Sequence, residues 1–210
     1  MPYLTDEEGK FLHKLAKKTV VESVKAKKPV KIEIPSDIPK KLLDKAGVFV
    51  TLNTSTKGAE HKLRGCIGRI EPSTSLAQAT IDSAIDSVFN DPRFATVKPE
   101  ELDNIVVEIS VLTPPELIKV DNVKDYPKMI KVGMDGLIIE QGWNKGLLLP
   151  QVPIEQNPPW NEEEFLGWTC WKAHLTMDQW LDPKTKIYKF QAEIFEETEP
   201  NGNVVRKKID

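Results

Sequence analysis

VFVTLNTSTKGAEHKLRGCIGRI, residues 48–70, decides how the chain folds. VFVTLN (48–53) is rich in Val, Phe and Thr and reads as a strand. TSTKGAEH (54–61) is polar, carries a glycine and suits a turn or loop. KLRGCIGRI (62–70) then reads as a second strand, so 48–70 forms a hairpin with a long loop. A hairpin at this point means antiparallel pairing.

The flanking segments agree. Thr5 to Lys27 is predicted as one amphipathic helix, opened by the capping box TDEE, in which Thr5 caps and Glu8 reaches back. Phe11, Leu12, Leu15, Thr19 and Val20 recur at helical spacing, and lysines fill the other face. Residues 29–39 form a proline-punctuated extended connection. STSLAQATIDSAIDSVFN (73–90) reads as a helix with Ser75 and Gln78 in capping-box positions, and DPRF (91–94) ends it. IVVEISVL (105–112) alternates, with Val107, Ile109 and Val111 on one side and Glu108 and Ser110 on the other. DGLIIEQG (135–142) and KGLLLPQV (145–152) read as two strands around a short turn. NEEEFLGWTCWKA (161–173) is a capped helix, TMDQWL (176–181) begins another with Thr176 and Gln179 in capping positions, and KIYKFQAEIFEE (186–197) is a single closing strand. Helices fall between hairpins rather than after every strand. The expectation is therefore α+β: a mostly antiparallel sheet flanked by helices. Residues 1–200 form one compact module with two lobes, and residues 201–210 a loose tail.

Bulk composition narrows the function classes. The chain has 210 residues, 40% hydrophobic and 29% charged, with a net charge of −3. That balance argues against a general nucleic-acid binder, which carries a basic surplus. The lysine face of the first helix is the one place where RNA could dock; a solvated face is the plainer reading. The two cysteines, Cys66 and Cys170, form no C-x-x-C pair, and with only three histidines a structural zinc site is not expected. The charged start lacks the apolar core of a signal peptide, and no apolar run is long enough to span a membrane. A reducing cytoplasm is the expected compartment.

Chemistry concentrates in residues 62–70. In an extended strand Arg64, Cys66 and Gly68 share one face, with Arg64 and Cys66 about 7 Å apart. A guanidinium at that distance favours the thiolate. Gly65 and Gly68 allow a backbone or a ligand to come close. The chain has 25 lysines and four arginines, and three of the four, Arg64, Arg69 and Arg93, cluster around this stretch. Arginine is the better fork for a carboxylate or phosphate. These arginines either hold a ligand's anion or pair with internal acids such as Asp91 or Glu108. Cys66 is either a nucleophile or a small buried hydrophobe. A nucleophile wants a base, and His61 falls on the opposite strand face. All five tryptophans lie after residue 140, where they either line a ligand groove or pack the lobes. No phosphate-binding loop, dinucleotide fingerprint, zinc-protease helix or hydrolase elbow occurs.

Five motifs in order then carry a resemblance: LRGCIG (63–68), DPRF (91–94), VEISVL (107–112), GLLLPQV (146–152) and the C-x-K-A of TCWKAHL (169–175). Together they resemble the AMMECR family, named from a human chromosomal deletion region, over nearly the whole chain. The resemblance implies a compact two-lobed α+β module whose biochemical activity is not established. It also implies a pathway shared with a Memo-like protein and a radical SAM protein, whose relatives are encoded beside or fused to family members. The family usually has glycine after the KA pair, where this chain has His174, so His174 is not a family-wide base for Cys66.

Two main readings of function follow. In the first, a cleft around LRGCIG, with Arg64, Gly65, Gly68, Arg69, Arg93 and Glu108, binds a small anionic ligand or a protein partner. In the second, the chain is an enzyme that uses Cys66 as a reactive thiol. RNA binding by the first helix is the weaker third. No cofactor or metal ligand set is legible.

Overall fold

A computed structural model of the chain describes residues 2–55, 61–71 and 73–207. The chain divides into two compact units, one running to Leu112 and resuming at Glu193, the other spanning Thr113–Ala192.

The first unit is a five-stranded sheet with two helices. Its strands are β1 (Val48–Thr54), β2 (Lys62–Arg69), β3 (Ile105–Leu112), β8 (Ala192–Glu197) and β9 (Val204–Lys207), in the order β2-β1-β3-β8-β9. β1 pairs antiparallel with both β2 and β3, so the hairpin expected over 48–70 is present, with Thr56–Glu60 of its loop outside the described residues. Helix α1 (Asp6–Ala26) carries the complete capping box, with Thr5 Oγ1 accepting from Glu8 N and Glu8 accepting from Thr5 N. Helix α2 (Leu76–Phe89) starts at the Ser75 cap, but Gln78 turns forward to Asp82 instead of closing the box. One core joins Leu12, Leu15 and Val20 of α1, Leu76, Ala84 and Val88 of α2, and Val50, Leu52, Val107 and Ile109 of the sheet. The small residues of α2 let it sit close: a Cβ on Gly65 would lie 2.5 Å from Ser87 O.

The second unit is a four-stranded antiparallel sheet in the order β4-β7-β5-β6, from β4 (Glu116–Leu117), β5 (Gly136–Gln141), β6 (Asn144–Leu148) and β7 (Lys186–Phe190). Helix α3 (Glu162–Lys172), capped by Asn161 and Glu164 as expected, packs on it through Phe165, Leu166 and Cys170. Gly146 is required there, because a Cβ would strike the backbone at Ala173.

Four expectations need correction. The closing strand 186–197 is two strands in two sheets, β7 and β8. They are broken at Gln191, whose N–H donates to Thr113 Oγ1 and whose carbonyl accepts from Thr113 N, both at 2.8 Å. TMDQWL is only a 3-10 turn over Gln179–Leu181: Thr176 Oγ1 donates to Gln179 Oε1, and Pro183 prevents extension. The tail is not loose over Val204–Lys207, where two valines and a turn with Asn201 at φ 60° build β9 against β8. Finally, strict alternation fails in β2. The register slips between Leu52 and Asn53, which pair with Gly65 and Leu63, leaving Arg64 as the extra residue of a bulge.

Candidate functional site around residues 63–68

Strand β2 lies at a sheet edge, where unpaired backbone groups are a liability. Side chains from the following helix and turn occupy them. Ile67 N donates to Ser87 Oγ at 3.0 Å and Cys66 N donates to Asp91 Oδ2 at 2.8 Å. Asp91, the first residue of DPRF, is buried, and it also accepts from Arg93 N at 3.1 Å, Arg93 Nε at 3.0 Å and Arg93 Nη2 at 2.8 Å. The Arg93 hydrogen bonds, reinforced by the backbone donors, hold its carboxyl well below the usual carboxylate range despite burial. Arg93 Nη2 reaches Cys66 O at 3.2 Å, so LRGCIG and DPRF, separated in sequence by α2, form one hydrogen-bonded unit.

The arginines all have internal partners. Arg64, displaced from the ladder by the bulge, forks onto Glu101 with Nε at 2.7 Å and Nη2 at 3.0 Å. Arg69 donates to Ser83 Oγ at 3.0 Å and Asp86 Oδ2 at 2.7 Å on α2. Arg93 pairs with Asp91 as above. The pairing reading therefore holds for the fold, with Asp91 as the partner of Arg93. Glu108 instead faces Lys207 Nζ at 3.5 Å. Arg64 and Arg93 nonetheless converge: their guanidinium carbons lie 5.9 and 5.4 Å from the Phe94 ring centre. Arg93 leaves 53% of its side chain exposed, and its Nη1 donates to no described residue.

Cys66 sits partly exposed in a polar row. It pairs across the ladder with Thr51, which pairs in turn with Glu108. Thr51 Oγ1 donates to Cys66 Sγ at 3.3 Å. Burial is the largest influence on the thiol and pushes its pKa up; the Thr51 hydrogen bond and Arg93 oppose this, while Glu108 and Asp91 add to it. The cation that acts on the thiol is Arg93 rather than Arg64. Burial thus opposes the thiolate activation expected from strand neighbours and outweighs the Arg93 guanidinium. Glu108 is itself buried, and burial raises its carboxyl, with Lys207 opposing and Glu196 adding to the rise. Gly68 has its own packing reason: a Cβ would lie 2.6 Å from Val48 O and overlap the Phe49 ring.

The residues that the sequence did not single out are Thr51, Ser87, Phe94, Glu101 and Lys207. Ser83 and Ser87, one turn apart on α2, were visible as small polar residues on an apolar helix, which is the available signal for strand-capping hydroxyls. Among the described residues no group of three or more His, Cys, Asp or Glu side chains is placed to hold a metal, and no helix is long and apolar enough to cross a membrane.

Fold and site define an α+β protein of two units, in which an arginine- and glycine-bearing edge strand is clamped by a D-P-R-F turn. The chain belongs to the AMMECR1 family, whose model matches residues 13–195. It is 55% identical to a protein of Pyrococcus abyssi over 209 residues, covering 100% of both chains, and 49% identical to one of Methanocaldococcus jannaschii over 209 residues, again covering 100% of each. It superposes on the crystal structure of an uncharacterized protein from Pyrococcus horikoshii with a TM-score of 0.87 at 53% identity, covering 98% of this chain and 99% of that one.

Proposed function

We propose that the chain is a non-catalytic binding module whose surface at Arg93, Phe94 and Arg64 receives an anionic group. The carrier of that group is a small carboxylate or phosphate ligand, or an acidic segment of a partner such as the Memo-like protein the family resemblance suggests. The observation that carries this reading is the arrangement of two guanidiniums about one aromatic ring. Both are oriented by buried or half-buried carboxylates, and the half-exposed Arg93 keeps one nitrogen that donates to no described residue. Cys66 then serves the framework: its backbone is held at both N–H and C=O, and no histidine lies among the influences on its thiol. Two free thiols suit a cytoplasmic setting.

Calorimetric titration with triglutamate and with inorganic phosphate tests the proposal. Saturable binding is expected with at least one of them. Arg93→Lys keeps the charge but not the fork and should weaken that binding about tenfold, whereas Cys66→Ser should leave it unchanged. Equal affinity in Arg93→Lys and wild type, or no saturable binding of either probe, would overturn the assignment.

A further inference from the structure

The second unit carries an aromatic feature that the site around residues 63–68 does not use. Trp160 and Trp168 are stacked, with ring centres 5.2 Å apart and planes at 11°. Trp171 meets Trp168 edge-on at 5.8 Å and 77°. Trp180 is buried in the core of the unit, but Trp171 remains 61% exposed. Its ring is held by Trp168 while most of its surface stays exposed.

A concavity of about 650 Å³ lies beside it, lined by Trp171, Lys172, His174, Leu175 and Thr176. That is within the range of small-ligand sites, roughly 300–1,000 Å³. No acidic side chain lines it. Lys172 and His174 are exposed, and their side chains make no hydrogen bond or ion pair with any described residue. At the end of α3 the carbonyls of Thr169, Cys170 and Trp171 are already taken: Ala173 N donates to Thr169 O and Cys170 O, His174 N to Trp171 O and Leu175 N to Cys170 O. Closing the helix this way places His174 at φ 60°, a left-handed conformation that is strained for a residue with a Cβ. The strained residue brings a ring nitrogen to the rim, where glycine would cap the helix without that strain.

We propose that this concavity binds a planar aromatic anion, its ring stacked on Trp171 and its charged group held by Lys172 and His174. The ring supplies stacking area on a pre-positioned indole, the Lys172 ammonium supplies the charge recognition, and the His174 imidazole adds a hydrogen-bonding group. A nucleotide and an aromatic carboxylate share this chemistry.

Titrating the full chain with adenosine monophosphate and with 4-hydroxybenzoate, followed by the indole N–H and backbone amide resonances, distinguishes them. The better of the two should shift the Trp171 and Lys172 signals saturably, while adenosine, phenol and inorganic phosphate, each lacking either charge or ring, should require at least about tenfold higher concentration. Lys172→Gln should weaken binding several-fold, and Trp171→Leu should abolish the shift at Lys172. Neither aromatic anion saturating below about 10 mM, or Trp171→Leu binding as tightly as wild type, would overturn the proposal. Arg93→Lys should have no effect here, which separates this site from the one on the first unit.

Discussion

Replacing Asp91 by alanine is the sharpest perturbation of the clamp. The side chain is 3% exposed and accepts from Cys66 N and from three donors of Arg93. Removing it leaves the Cys66 N–H without its acceptor, which costs about 1–3 kcal/mol for a buried donor. Arg93 also loses its partner, but at 53% exposure water replaces most of that interaction, so the ion pair adds little. The expected loss is about 2 kcal/mol, and Asp91→Asn, which keeps one acceptor, should lose less. The carboxyl has a depressed pKa in the folded chain. Its contribution is therefore fully present above the unfolded carboxylate value of about 3.9 and fades as pH falls below that. The gap between wild type and Asp91→Asn should accordingly narrow below about pH 4. Tryptophan emission is blind to this unit, since all five tryptophans lie between residues 143 and 180. Hydrogen exchange at Cys66 N is the right assay, and about 2 kcal/mol corresponds to exchange faster by roughly 30-fold. An Asp91→Ala chain whose Cys66 amide exchanges at the wild-type rate would refute the clamp.

Other consequences follow from the same geometry. Gly65→Ala should cost about 2 kcal/mol or more, since its Cβ would meet Ser87 O at 2.5 Å and α2 must move. Gly142→Ala, with nothing within 4 Å but φ at +60°, should cost only about 1 kcal/mol; equal losses in denaturant melts would show that space is not the deciding factor. His13 is buried, its Nε2–H donates to Val107 O, and burial lowers its pKa. Its neutral form therefore contributes stability that is present above about pH 6.5 and lost as pH falls. His13→Gln should flatten that part of the stability profile between about pH 7 and 5, and an unchanged slope would rule the linkage out.

Much of the first unit was legible because local signals and tertiary structure agree there. The capping box at Thr5 and Glu8, the β1–β2 hairpin and the apolar face of β3 are periodic patterns that packing reinforces. What escaped was set by non-local partners. No local signal marks Gln191 as a break, because Thr113, far away in sequence, takes both its backbone groups. The bulge at Arg64 answers to Glu101. Cys66 shows the same limit: an adjacent arginine in sequence suggested an acidic thiol, whereas burial pushes the thiol up and the turn at Asp91 holds its backbone. The arginine clustering marked residues that come together in space, Arg64 and Arg93 about Phe94, but could not say that each fork was already occupied by a carboxylate.

The most direct test concerns that thiol. In a Cys170→Ala background, which removes a thiol that burial pushes up to about 11, the rate of Cys66 alkylation is followed against pH. If residues 63–68 frame a binding surface, the apparent pKa lies above the free value of about 8.5 and alkylation at pH 7 is slower than for a small free thiol. An apparent pKa near or below about 7, with fast alkylation of the folded chain, would contradict the binding-module account and make Cys66 a reactive centre.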